Sequence, residues 1–539
     1  MALNAFKPLQ IDDTAYEYYA RQMAARPLDP YGCTVFWYEY PQPAIEILAP
    51  PVFTYSWAVV HCFSDNPLVW KLCLLPWSLL LVFGLRGQLR RFAPQLERPL
   101  LVMLVFSPAL LPSLNLMLDV PTLALALTAL NLYFRAADRN SLALAAWAGL
   151  LAGLAMQTKY TAFLVPGTML LWSATTGRWR LWPAAALVAV SLFVTWEFLV
   201  ALLYEDSHFL FALSLNGGGF VSKLYMLPFL TSYLGGLAPF GIALGLAALG
   251  FARRWVWIAV GVMLAGFVVV TLFDVRYVTD TDLFGNPFKD PVEFQLGEVL
   301  FNCNSFVGIA VVILSARRLL KAEWSAGDRA TLFLVLWLGL EVLGYMALTP
   351  FAAVRRVFGV GLVSSLIVGR LAARHPLLLW RRRFVPWLTA GSVALALGYG
   401  ALDWHDAWVQ QHAVETAADY IAAHDGGRVW YAGHWGFQFY AERRGMTPII
   451  PAYAGGMTTF QPGDWLVLPE VEFEQQKVRL PQDRLELAHK LSIGGSVPLR
   501  TVSCFYAGRT PLEHQEGPSL IVRIYRVRIG FDARGPEKE

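Results

Sequence analysis

The sequence predicts an α-helical polytopic membrane protein that carries a small soluble α/β domain at its C-terminal end. Three observations predict it. Apolar residues fall in runs of roughly 17 to 25, the length that takes an α-helix across the hydrocarbon core of a bilayer. Basic residues gather in every second loop between those runs, as cytoplasmic loops do. After Leu402 the long runs stop, and short segments such as RVWYAG, DWLVLP and SLIVRIYRV read as strands.

Composition agrees with this class. Of the 539 residues, 56% are hydrophobic and 15% charged, with 20 Trp, and the mean hydropathy is positive. A net charge of +4 gives no case for a nucleic-acid partner. The five cysteines (Cys33, Cys62, Cys73, Cys303 and Cys504) show neither CxxC nor zinc-site spacing, so they read as small apolar fillers.

In chain order, residues 1–67 read as an outer loop containing a short acidic helix, 68–402 as the transmembrane domain, and 403–539 as the soluble domain. Residues 1–10 are too short and polar for a signal peptide; either the first residues are translocated unaided or, as is expected here, a first span lies upstream of the given start. About 12 spans are expected, near 68–86, 99–114, 119–135, 141–157, 159–174, 181–203, 228–251, 255–273, 294–316, 329–348, 354–372 and 384–402. The fourth and fifth are short enough to be half-spanning. The basic loops that hold Arg90 and Arg91, Arg135 and Arg139, Arg178 and Arg180, Arg253 and Arg254, Arg317 and Arg318, and Arg381 to Arg383 fall on one side, read as cytoplasmic. The acidic helix and the 403–539 domain then share the opposite, extracytoplasmic side of a cell inner (plasma) membrane. HDAWVQQHAVETAADYIAAH reads as an amphipathic helix of that domain.

Charges at span ends are expensive to keep in a membrane and so are functional candidates. Asp12 and Asp13 open the acidic helix, and Thr14 with Glu17 has the spacing of a capping box. That box leaves at least one of the two aspartates free to project elsewhere. Asp119 opens the third span beside Pro121, where it serves either as helix cap or as a site residue. Lys159 interrupts the apolar stretch between spans four and five, either snorkelling or meeting an anion. Arg355 and Arg356 lie at the outer end of span eleven, where basic residues are disfavoured and phosphate binding would explain them. Glu39, Glu46 and His208 are candidates for a substrate site or a divalent metal, on a sparse signal.

These residues occur in an order that resembles a known family. DDxxY at Asp12 to Tyr16, EYP and then APP in the first outer loop, SPALLPSLNLMLDVPTLAL, GLLAGLAMQTKYTAFLVP and the late arginine pair together resemble the GT-C membrane glycosyltransferases. Within that family the branch is the protein mannosyltransferases and the lipid A aminoarabinose transferase. The likeness runs from Ile11 to about Arg370, and the tail resembles the outer domain appended to some bacterial members.

The resemblance implies an enzyme that moves a sugar from a polyprenyl-phosphate carrier to a lipid, glycan or protein acceptor on the outer face. It implies Asp12 as base or orienter for the acceptor, Tyr16 as the matching tyrosine, Asp119 as the second catalytic carboxylate and Lys159 as the family lysine. Three departures stand out: Asp-Asp replaces Asp-Glu, leaving Asp12 and Asp13 hard to separate; Glu39-Tyr40-Pro41-Gln42 lacks the family's basic residue; and the first span is missing. The chemistry is coherent, because a lipid phosphate is already a leaving group and needs no Gly-rich nucleotide loop. Two rival readings remain, a transporter or flippase of lipid-linked saccharide, which would favour inverted repeats, and a catalytically inactive scaffold.

Overall fold

A computed structural model of the chain describes residues 2–37, 40–47, 50–215, 220–273, 276–281, 287–374, 384–450, 456, 458–470, 480–501 and 510–533. Among the described residues eight helices are long and apolar enough to cross a membrane: Pro67–Phe92, Asp119–Arg139, Leu181–Tyr204, Arg253–Leu272, Leu296–Trp324, Ala330–Leu348, Val354–Ala373 and Val385–Ala422. The other four expected segments are also helical but shorter or broken. Segment two shrinks to Glu97–Val105. Segments four and five are Leu142–Met156 and Leu164–Thr176. Segment seven is a pair, Lys223–Leu237 and Pro239–Ala248, bent by 78°. Pro239 cannot donate to the preceding turn, so the bend falls where the helix loses a bond.

Helices approach closely where small residues permit. A side chain at Gly235 would collide with the Phe301 carbonyl, and one at Gly149 with that of Ala185. The stretch between Val105 and Asp119 is buried without regular helix, so its carbonyls need partners. The N-terminal residues supply some of them. Asn4 Nδ2 donates to the Leu111 and Leu114 carbonyls at 2.8 and 3.2 Å, and Lys7 Nζ donates to Pro112 at 3.3 Å.

Lys7 also pairs with Asp403, both side chains being almost fully buried, and Lys71 donates to the Asn4 and Lys7 carbonyls. Asp13 belongs here too: it is 0% exposed, and burial pushes its carboxyl up against the lowering pull of Lys71 and Lys7. This polar knot ties the chain start to the first long helix and to the last. Asp403→Ala would strand the Lys7 ammonium in the interior, at a cost of about 3 to 5 kcal/mol. The expected result is a clear drop in Tm in detergent, smaller when Lys7→Met is added to remove the stranded charge.

Val385–Ala422 runs unbroken for 38 residues, roughly 57 Å at the α-helical rise. The expected boundary at 402 is therefore no break in the chain's course. The helix crosses it, and its stripe of Val409, Ala413, Ala417 and Ile421 joins Tyr431, Trp465, Val522 and Ile524 in the core of the C-terminal domain. That domain holds a five-stranded mixed sheet in the order Thr447–Pro448, Val429–Tyr431, Trp465–Glu470, Leu520–Val527, Leu485–Ile493. The first three strands are parallel and the last three antiparallel.

The acidic helix, Asp13–Ala25, packs against this domain. Tyr18 hydrogen-bonds Glu442, Gln438 Nε2 donates to the Phe36 carbonyl at 2.5 Å, and Tyr440 accepts from the Leu9 amide at 2.9 Å. The two lie on the same side of the transmembrane domain.

Candidate active site

Four chain turns meet beside the N-terminus of the acidic helix. The first supplies Asp12. It occupies the N-cap position but makes no side-chain cap bond, and its side chain is 31% exposed. The expected capping box is absent, which corrects the reason for Asp12's freedom. Thr14 Oγ1 donates to the Ile11 carbonyl at 2.8 Å, while Glu17 is taken by Arg21 at 2.5 Å and His61 at 3.3 Å. The helix starts at Asp13, two residues earlier than that pattern requires.

Asp119 is the first residue of its helix, one past the N-cap position held by Leu118, and among the described residues its side chain accepts a hydrogen bond from Lys159 alone. Its two oxygens go to cations: Oδ1 to Lys159 Nζ at 2.5 Å and Oδ2 to Arg355 Nε at 3.6 Å. Lys159 stands in extended backbone just before the 3-10 turn Tyr160–Phe163. Arg355 and Arg356 come from the 3-10 turn Val354–Val357, which opens the next helix. Arg355 Nη2 reaches Asp12 Oδ2 at 3.1 Å. The ions form one chain, Asp12 to Arg355 to Asp119 to Lys159.

Arg356 stands apart from that chain. Its Nη1 donates to the Phe351 carbonyl at 2.8 Å, and its guanidinium lies over the Phe351 ring at 4.0 Å. Its Nε is buried with no hydrogen-bond partner among the described residues. A buried guanidinium donor left unpaired is costly, and an anion would satisfy it. Tyr16 is buried among the same groups; its hydroxyl is pushed up by burial and then by Asp12 and Asp119, and that hydroxyl makes no hydrogen bond among the described residues.

Asp119, Lys159, Arg355 and Arg356 line a cavity of about 120 Å³, which continues down to Tyr345 and Glu341. A second, apolar groove of about 410 Å³ runs between the helices from Leu100 to Val368. The two share Phe358 and Leu362 as walls.

Other expected residues do not join this cluster. Asp13 points into the polar knot. Glu39 lies outside the described residues. Glu46 meets Gln42 at 3.5 Å. His208 is held by Tyr160 at 2.5 Å, stacks on Tyr31 at 5.2 Å, and is pushed down to about 4 by burial although it bonds the Ile47 backbone. Among the described residues no group of three His, Cys, Asp or Glu side chains is arranged to hold a metal ion.

Sequence reasoning passed over three groups. Lys223 donates to the Ala347 and Thr349 carbonyls at 3.3 and 3.2 Å, close enough to Arg356 to feel its charge. Its signal was a basic residue on the side that the positive-inside rule leaves poor in them. Glu341 is the one acidic residue within its long apolar helix. Lys71 likewise interrupts the first span.

Fold and site together define a multi-pass membrane protein with a cation-lined cavity and a partly exposed carboxylate at one membrane face. In sequence, no protein-family model and no curated protein matches the chain. Among solved structures it is similar to the archaeal oligosaccharyltransferase AglB from Archaeoglobus fulgidus, in complex with an inhibitory peptide and a dolichol-phosphate. That similarity has a TM-score of 0.44 and 13% identity over 82% of this chain, which spans 60% of that protein's length. It is also similar to ArnT from Cupriavidus metallidurans bound to undecaprenyl phosphate, with a TM-score of 0.41 and 16% identity over 87% of this chain and 90% of that one.

Proposed function

We propose that the protein is a membrane glycosyltransferase that takes a sugar from a polyprenyl-phosphate carrier and passes it to an acceptor on the extracytoplasmic face. The observation that carries this reading is the shared wall between the cation-lined cavity and the apolar groove. A phosphate attached to a long isoprenoid chain needs both, cations for its head and an apolar slot for its tail. Phe358 and Leu362 stand where one would become the other.

In this reading Lys159, Arg355 and Arg356 receive the phosphate. As the bond between the sugar's anomeric carbon and the phosphate oxygen breaks, the electron pair leaves with the phosphate, and fixed cations stabilise that growing charge. Asp12 takes the proton from the acceptor nucleophile as it attacks the anomeric carbon. Asp119, already paired with two cations, orients them and is a positioning residue. Tyr16 adds a hydroxyl at the acceptor side.

The test is to incubate the purified protein with a panel of polyprenyl-phosphate sugars and candidate lipid, glycan and protein acceptors. Appearance of glycosylated acceptor with release of polyprenyl phosphate is the expected result. Movement of intact lipid-linked sugar across vesicles without cleavage would replace the reading with that of a flippase. Binding without either would leave a scaffold.

A further inference from the structure

We propose that Glu341 reads the sugar of the lipid-linked donor, accepting hydrogen bonds from its ring hydroxyls within the cation-lined cavity. This rests on the transferase reading of that cavity. Glu341 sits mid-helix in Ala330–Leu348, at a depth where a carboxylate is costly to keep unless it faces a cavity or a partner. Its Oε1 accepts from Trp337 Nε1 at 2.8 Å, which fixes the side chain's direction. Its Oε2 accepts no hydrogen bond among the described residues, and no cation pairs with it there.

The packing is built to admit this group. A Cβ at Gly359 would lie 2.2 Å from Glu341 Oε2, so any other residue there would push the carboxylate out of its place. Gly359 follows Arg356 by three residues, across the junction of the 3-10 turn and the helix, about 5 Å along the axis. That offset matches one sugar ring hanging below a phosphate held by Arg356. Thr122, Thr161 and Tyr345 line the same cavity and offer further polar contacts in an otherwise apolar wall. A carboxylate repels phosphate, so its place in this cavity suits the part of the donor that carries hydrogen-bond donors and no negative charge.

The experiment measures binding of polyprenyl phosphate alone and of polyprenyl phosphate carrying a hexose, a pentose or an amino sugar, to the full protein and to Glu341→Gln. Glutamine keeps an acceptor for Trp337 but turns its amide nitrogen to the cavity. The expected result is that the preferred sugar's advantage over bare polyprenyl phosphate falls tenfold or more, as for loss of a charged hydrogen-bond acceptor. Binding of bare polyprenyl phosphate should stay unchanged. Equal weakening of both ligands, or no weakening of either, overturns the proposal, as does a wild type that binds all of them alike. In those three cases the transferase reading survives, whereas failure of the wild type to bind any polyprenyl phosphate removes both.

Discussion

Asp12→Asn is expected to lower sugar transfer by roughly 10²- to 10⁴-fold, the usual loss when a general base is removed, with folding and donor binding intact. Asparagine keeps the size and one acceptor oxygen, so the bond from Arg355 at 3.1 Å can persist while the basic group is gone. Asp12 makes no capping bond and is partly exposed, so a helix-start role does not compete with this one. Asp13→Asn is the paired control. Asp13 is fully buried and answers to Lys7 and Lys71, so its loss should move Tm and leave turnover per folded molecule within a few-fold. Greater damage to turnover from Asp13→Asn would transfer the catalytic role to that residue. Full activity in both variants would end the enzymatic reading of this turn.

The transmembrane helices were legible because hydrocarbon leaves few options: backbone groups must be satisfied within the segment, so length and polarity alone mark a span. The short fourth and fifth segments were legible for the same reason, Lys159 interrupting an apolar stretch too short for two full crossings. The long helix through residue 402 was not. Falling hydropathy marks the exit from the membrane, but the helix continues because the apolar stripe from Val409 to Ile421 keeps its 3.6-residue period and finds a sheet to cover.

At the site, single charged residues in apolar surroundings pointed to Asp119, Lys159, Arg355 and Arg356, which the structure brings together. Partners were not readable from sequence. The Lys7 and Asp403 pair joins residues 396 positions apart, and the Asp12 and Arg355 pair joins residues 343 apart; no local pattern encodes either. The separation of Asp12 from Asp13 follows from which neighbour each turns toward, and the Thr14 and Glu17 spacing misled because Arg21 and His61 compete for the glutamate.

Arg356→Gln should lower kcat/KM for the lipid-phosphate donor by on the order of 10²-fold, the scale of removing one preorganised donor to a developing oxyanion, while Tm changes little. The reason is its isolation: Arg356 forms no ion pair among the described residues, so removing its charge strands no carboxylate. Lys159→Gln should differ in kind. It takes a partner from Asp119, whose side chain is only 10% exposed, so stability and donor kinetics should fall together. Arg356→Lys separates charge from shape, because an ammonium supplies the first without the guanidinium's two-pronged fit to phosphate; an intermediate kcat/KM is expected. Measured at saturating acceptor, unchanged donor kinetics in Arg356→Gln and Lys159→Gln alike would remove both cations from the mechanism and leave the cavity without its phosphate.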